Sequence, residues 1–236
     1  MDNDRPAFED QLKLAQKESV ACELAKSPTV DRMTDIGIDA METVDTLVKR
    51  FYATVPSEGQ PACTEGCTFC CHQYVGLTVP ELAVLEKYIS SNFSSAERRD
   101  LKVRLSKVVD ATQGMKRFER AVAKLDCPLL GENTRRCTVY AARPLTCRGM
   151  HSLSRAACEA NDTAPGKIKP IPRYASHKSI VRSISVGMQL ALAEHGAAVS
   201  ELELAEALRL VLAEPELFER WMNGERVFDS AHMPPV

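Results

Sequence analysis

The chain is poor in several features that mark common protein classes. Aromatic residues make up 6% of its 236 positions, with a single tryptophan, and there are only 11 glycines. No run of about 18 uncharged apolar residues occurs, so no segment is expected to cross a membrane as a helix. The net charge is −2, so the basic field that nucleic-acid binding needs is missing. The opening Met1-Asp2-Asn3-Asp4-Arg5 is acidic and polar and does not read as a secretory signal. A cytoplasmic protein without membrane or nucleic-acid partner is expected. Glycine-rich phosphate loops, HExxH and GxSxG are absent as well.

What remains is ordinary in bulk and unusual in one respect. Apolar residues at 44% and charged residues at 26% suit a globular chain. Its length is enough to bury a core without disulfides. One domain spanning 1–236 is expected. Few aromatics beside much Ala, Leu, Glu and Lys favour helix. The anomaly is nine cysteines. In a reducing compartment such a number points to metal or redox chemistry rather than disulfides.

Hydrophobic spacing predicts helices on both sides of a cysteine-rich middle. Residues 4–26 carry a stripe of Phe8, Leu12, Ala15 and Cys22, ended by Ser27-Pro28. Residues 31–53 carry a stronger one: Met33, Ile36, Ala40, Met41, Val44, Leu47, Val48 and Phe51. Residues 56–77 are punctuated by proline and glycine and read as a loop. Capping boxes at Thr78–Glu81, Ser94–Glu97 and Ser200–Glu203 open further helices. The second is expected to run to Leu125, weakened at Gly114. A short hairpin is predicted at 128–140 as the only strand content, then a turn or short helix from Arg143-Pro144. Residues 161–174, with four prolines and glycines, read as extended loop. Ile180, Val181, Ile184, Met188, Ala191 and Leu192 mark a helix ending near Gly196, and Leu217, Phe218, Trp221 and Met222 a last one before Gly224. Residues 229–236 read as a frayed tail. The fold class expected is mainly α: N-terminal helices in 1–55, a cysteine-cluster core in 56–160 that wraps a metal, and C-terminal helices in 175–224.

Four cysteines fall within nine positions as Cys63-x3-Cys67-x2-Cys70-Cys71. They lie in a loop bounded by glycine and proline, where a turn brings residues two to four apart to one side. Thiolates are soft ligands that select zinc, iron–sulfur clusters or copper(I). Cys127, Cys137 and Cys147 are spaced about ten apart, as a hairpin and turn folding back onto that loop would place them. Seven or eight thiolates exceed one mononuclear site. Two zinc ions, one cluster with spare thiols, or a multinuclear iron site are all consistent. Cys158 suits a ligand and a core position equally, and Cys22 reads as a small core residue. His72 and His151 read as loop histidines first and ligands second; His177, His195 and His232 read as surface residues. Arg135, Arg136, Arg143 and Arg148 supply cations near the later cysteines, and Tyr140 and Arg143 could bond to sulfur.

Cys63-Thr64-Glu65-Gly66-Cys67-Thr68-Phe69-Cys70-Cys71, Cys127-Pro128-Leu129-Leu130, and Cys137-Thr138-Val139-Tyr140-Ala141-Ala142-Arg143-Pro144-Leu145-Thr146-Cys147-Arg148 resemble the YkgJ-type cysteine-cluster family. That family is described as a zinc- or iron-chelating domain and named for a CxxCxxCC pattern. The resemblance covers roughly residues 60–160. The first gap here is three residues, where the family's name implies two. It implies binding of iron, zinc or an iron–sulfur cluster by Cys63, Cys67, Cys70, Cys71, Cys127, Cys137, Cys147 and Cys158. It implies no reaction, although the similar clusters of flagellin lysine methylases imply that such a module can serve an enzyme. Three readings stand: a structural or electron-transfer metal centre, an iron-dependent redox or group-transfer enzyme, and a zinc-stabilised module whose 31–53 stripe meets a protein partner.

Overall fold

Each strong apolar stripe becomes a helix packed on its neighbours. A computed structural model of the chain describes residues 7–26, 29–64, 66–164, 169–198 and 201–234. Helix α1 spans Phe8–Leu24, α2 Val30–Ala53, α3 Val79–Asn92, α4 Ser95–Thr112 and α5 Arg117–Ala123. Two short helices carry cysteines, α6 Leu145–Gly149 and α7 Arg155–Thr163, and the long α8 Ala175–Glu194 follows them. Helices α9 Leu204–Ala213 and α10 Leu217–Met222 complete the set. The protein is mainly α. Its strands among the described residues are β1 Gly76–Leu77 and β2 Leu202–Glu203, an antiparallel pair.

The core is built where α8 packs on α1, α2 and α6, α3 on α2, and α9 on α3 and α4. Met33, Ile36, Ala40, Met41 and Val44 of α2 and Ile180, Val181, Ile184, Met188, Ala191 and Leu192 of α8 are buried, as their spacing predicts. The α1–α8 crossing is close because Gly187 has no side chain; a Cβ there would collide with the Lys13 carbonyl.

Two of the three capping boxes form. At α3 the Glu81 carboxylate accepts from Thr78 N–H (2.8 Å) and from the Thr78 hydroxyl (2.7 Å). At α4 Glu97 accepts likewise from Ser94, and Ser94 Oγ accepts from Glu97 N–H. Before α9 the cap is Glu203, which accepts from Glu206 N–H (2.9 Å), because Leu202–Glu203 pairs with β1. Ser200 lies outside the described residues.

Several expectations need correction. The helix opened at Ser94 stops at Thr112: Gly114 takes φ +75°, and the Tyr74 hydroxyl donates to the Thr112 carbonyl (2.9 Å) that the break frees. Left-handed backbone suits glycine and ends helices. Beyond it, in α5, Phe118 is exposed. The buried face of α1 is not the expected stripe: Gln16 and Val20 are buried, whereas Phe8, Ala15 and Cys22 are exposed. The hairpin at 128–140 reduces to a single antiparallel bridge, Leu130 to Cys137, and the two-stranded pairing lies elsewhere. Residues 161–163 belong to α7 rather than to a loop. The tail is anchored, not frayed: Asp229–Ala231 form a 3₁₀ turn, Ala231 is fully buried, and Met233 N–H donates to the Glu201 carbonyl (3.0 Å). Ser27-Pro28 and Pro165-Gly166 lie outside the described residues, as do residues 235–236. No described helix is long and apolar enough to cross a membrane.

Candidate metal centre

The cysteines arrive from five places in the chain. Cys63, Cys67, Cys70 and Cys71 come from the loop between α2 and β1. Short-range turns fold this loop: Cys67 N–H donates to the Thr64 carbonyl (3.0 Å) and Cys71 N–H to the Thr68 carbonyl (2.8 Å). Cys127 follows α5, Cys137 closes the Leu130 bridge, Cys147 lies in α6 and Cys158 in α7. The backbone ties these segments directly. Cys127 N–H donates to the Cys71 carbonyl (2.7 Å), and Ala62 N–H to the Ser152 carbonyl (2.8 Å). The Thr146 hydroxyl donates to the Gly76 carbonyl (2.7 Å).

The result is one neighbourhood of eight thiols in two groups. Cys63, Cys67, Cys70 and Cys158 line a cavity of about 590 Å³. Cys127, Cys137 and Cys147 pack against the hydrophobic core. Cys71 joins them, with Cys127 and Cys147 acting on its thiol. Cys70 joins the two groups: it hydrogen-bonds Cys71 and stands near Cys63, Cys137 and Cys147. Cys22, on the exposed side of α1, is apart from them.

Burial and mutual repulsion work against ionising most of these thiols. Burial pushes Cys127 up to about 12 and Cys147 well above the ordinary thiol range, with neighbouring sulfurs adding to it. Burial raises Cys63 and Cys137 too. Cys70 is the exception. The hydrogen bond from Cys71 lowers it to about 7, and the Arg143 guanidinium assists, while Cys71 is raised in exchange. Backbone N–H groups already aim at sulfur: those of Leu129, Val139 and Ser152 donate to Cys127, Cys137 and Cys63. Such bonds favour thiolate and are strengthened when it forms.

This donor chemistry fits a soft metal. The ligand geometry is not closed, since among the described residues no three His, Cys, Asp or Glu side chains gather tightly enough to hold an ion as they stand.

Two histidines share the thiol-lined cavity, since His72 and His151 line it with Cys63, Cys67, Cys70 and Cys158. His72 also faces carboxylates: Nδ1 lies 3.3 Å from Asp126 and Nε2 3.9 Å from Asp162. Asp126 is paired with Arg135 and Asp162 with Lys124, each at 2.5 Å. His177 is buried, not at the surface, and its ring stacks on His151 with centroids 4.1 Å apart. Hydrogen bonds identify the tautomers. His177 Nε2–H donates to the Arg148 carbonyl (3.0 Å), so Nδ1 accepts from the Tyr52 hydroxyl (2.9 Å). His151 Nε2 accepts from Tyr174 N–H (2.8 Å). Each ring is therefore neutral, and burial holds His177 down near 4. Of the arginines expected beside the cluster, Arg143 stacks on the exposed Tyr140 ring at 4.1 Å, and its Nε is buried without a hydrogen-bond partner. Arg148 instead clamps the backbone: Nε donates to the Arg143 carbonyl (2.9 Å), Nη2 to the Ala141 carbonyl (2.6 Å), and Nη1 pairs with Asp45.

Sequence reasoning missed Glu81 as more than a cap. Its second oxygen accepts from Leu145 N–H (2.7 Å), the first residue of the helix that carries Cys147. It also missed Arg120, buried in α5; no periodicity signals an arginine facing inward.

Residues 62–166 match the CxxCxxCC family model, described as "Putative zinc- or iron-chelating domain". All eight clustered cysteines fall inside the match, so the family likeness carried by the motifs holds over this segment. No curated protein and no solved structure matches the chain.

Proposed function

We propose that this chain is a metal-binding protein, one helical domain in which Cys63, Cys67, Cys70, Cys71, Cys127, Cys137, Cys147 and Cys158 hold iron, zinc or an iron–sulfur cluster as a structural or electron-transfer centre. The observation that carries this reading is the meeting of thiols from five places in the chain, joined by backbone hydrogen bonds and met by N–H donors at sulfur. Disulfide scaffolds need no such donors, and all nine cysteines are free. Bound there, the metal would cross-link the 56–77 loop to α6 and α7 and could carry an electron. Burial of Cys127 and Cys147 suits ligands whose charge is masked by metal, since an isolated thiolate there would be strongly disfavoured.

A second reading, an enzyme that uses the centre, is favoured by the cavity. Cys63, Cys67, Cys70 and Cys158 face about 590 Å³ of open space lined also by Phe69, Lys124 and Arg173, so a small molecule could reach that side. The test is elemental analysis, acid-labile sulfide and an absorption spectrum on protein purified without oxygen, with thiol titration before and after chelation. Iron or zinc that protects the clustered thiols, Cys22 remaining reactive, supports the proposal. Iron without sulfide favours the enzyme reading. No metal with all thiols reactive overturns both.

A further inference from the structure

The cavity beside the thiols has a wall that bulk composition does not supply. The chain holds 32 acidic against 30 basic residues. Yet the cavity lining has four basic side chains, Arg117, Lys124, Lys169 and Arg173, and one carboxylate, Asp162, among the described residues. Two of these cations are already engaged. Lys124 pairs with Asp162 at 2.5 Å, and Arg117 donates to the Pro234 carbonyl (2.9 Å) and faces Glu201 at 3.5 Å. No carboxylate among the described residues lies within the 4.0 Å of an ion pair with Lys169 or Arg173. Arg173 also lines a neighbouring cavity of about 420 Å³, where Lys178 and Arg182 stand against Glu201.

Lys169 and Arg173 stand on a pinned segment. Lys169 N–H donates to the Asn161 side-chain carbonyl (2.8 Å), and the Asn161 amide donates back to the Lys169 carbonyl (2.8 Å). The residues on either side of Arg173 are held as well. Leu153 N–H donates to the Pro172 carbonyl (2.9 Å), and Tyr174 N–H donates to His151 Nε2 (2.8 Å). The backbone under both cations is thus fixed before any ligand arrives, which lowers the ordering cost of binding. Apolar side chains complete the wall: Phe69, Met150 and Ile171 line it, together with Phe118, which is 56% exposed on α5. Phe118 has no place in the core, and its position on the cavity gives it a role. An apolar wall with a few convergent polar groups is how small-molecule sites are built.

We propose that this cavity binds a small organic anion, a carboxylate or phosphate monoester carried on an apolar body, with Lys169 and Arg173 taking the anionic group and Phe69 and Phe118 the body. The two anions share one chemistry of recognition, since a guanidinium can donate two parallel N–H bonds to either. Bound so, the ligand lies beside Cys63, Cys67, Cys70 and Cys158. The inference deepens the enzyme reading, on whose open cavity it rests, and it needs no particular metal.

The probes are phenyl phosphate and benzoate, with benzamide as the neutral counterpart and inorganic phosphate as the anion without a body. They are titrated by calorimetry into the full chain, its iron and zinc content measured alongside. At least one of the two organic anions is expected to bind with a Kd of roughly 0.1–1 mM, as suits molecules of this size. Benzamide and inorganic phosphate should bind about tenfold more weakly or less. The tighter of the two anions tells a carboxylate ligand from a phosphate ester. Arg173→Gln and Phe118→Ser, both at exposed positions, should each weaken binding about tenfold with the thermal midpoint kept. Lys49→Gln, at an exposed lysine of α2 outside the lining, should change nothing. Benzamide binding as tightly as the anions overturns the proposal, and so does anion binding that Arg173→Gln leaves unchanged. Anion binding by a chain that holds no metal upholds this inference and sinks the enzyme reading, since no centre is there to act on the ligand. A metal-loaded chain that binds neither anion sinks this inference and leaves the centre standing.

Discussion

Glu81 offers the sharpest test of how the cysteine region is held. Its side chain is 1% exposed and has three donors around it. Oε2 takes Thr78 N–H and the Thr78 hydroxyl; Oε1 takes Leu145 N–H. One carboxylate thus caps α3 and fastens the first residue of α6, two positions before Cys147. Glu81→Gln preserves shape and replaces one acceptor by a donor. If the amide oxygen faces Thr78, Leu145 N–H meets an NH₂ group; if it faces Leu145, Thr78 N–H does. The Thr78 hydroxyl can rotate to accept, but a backbone N–H cannot. Either way one buried N–H is orphaned, at a cost of about 1–3 kcal/mol. Burial already pushes the Glu81 carboxyl up, so relief from desolvating a charge offsets part of this, and the expected loss is about 1–2 kcal/mol. Urea unfolding at neutral pH would read it as a lower midpoint at unchanged slope. A midpoint equal to that of wild type would refute the shared-cap reasoning.

Three further outcomes follow from the packing. Arg148→Lys should lose about 1–3 kcal/mol, because an ammonium cannot serve the Arg143 and Ala141 carbonyls and Asp45 with one planar fork; denaturant unfolding checks it. Gly187→Ala should cost about 1–3 kcal/mol, since the new methyl collides with the Lys13 carbonyl and α1 must move off α8; a thermal midpoint at wild-type value would contradict that close approach. Acid should also destabilise the fold through His177, which titrates near 4 when folded, against an ordinary value of 6.5. Between those values the unfolded chain binds a proton that the folded one refuses, so the contribution is complete above about pH 6.5 and is lost as pH falls toward 4. It amounts to up to about 3 kcal/mol. Unfolding midpoints across this range, compared with Tyr52→Phe, would show it, and an NMR titration placing His177 near 6.5 would remove the basis.

Much of the helical frame can be read directly from residues. The stripes of α2 and α8 and the boxes at Thr78 and Ser94 depend on neighbours three or four positions apart, and those are present in any chain. The cysteine site is legible for a similar reason: Cys63-x3-Cys67-x2-Cys70-Cys71 and the later Cys127, Cys137 and Cys147 mark themselves by type and spacing. The weaker stripe of α1 misleads, because its inner face, with Gln16 and Val20, is chosen by what α8 presents. The pairing of Gly76–Leu77 with Leu202–Glu203 joins two-residue strands that are over a hundred positions apart, too short to carry an alternating pattern.

By itself, then, the sequence determines a helical protein, its principal helix faces, and a set of thiols suited to soft metal, because propensity, capping and ligand chemistry are properties of residues and their near neighbours. Only the tertiary structure decides that Cys63, Cys67, Cys70 and Cys158 face a cavity while Cys127, Cys137 and Cys147 back onto the core. The same holds for the burial of His177 against Tyr52, and of Arg120 while Phe118 looks outward. These are choices of which surfaces meet, and no spacing of residues along the chain records them.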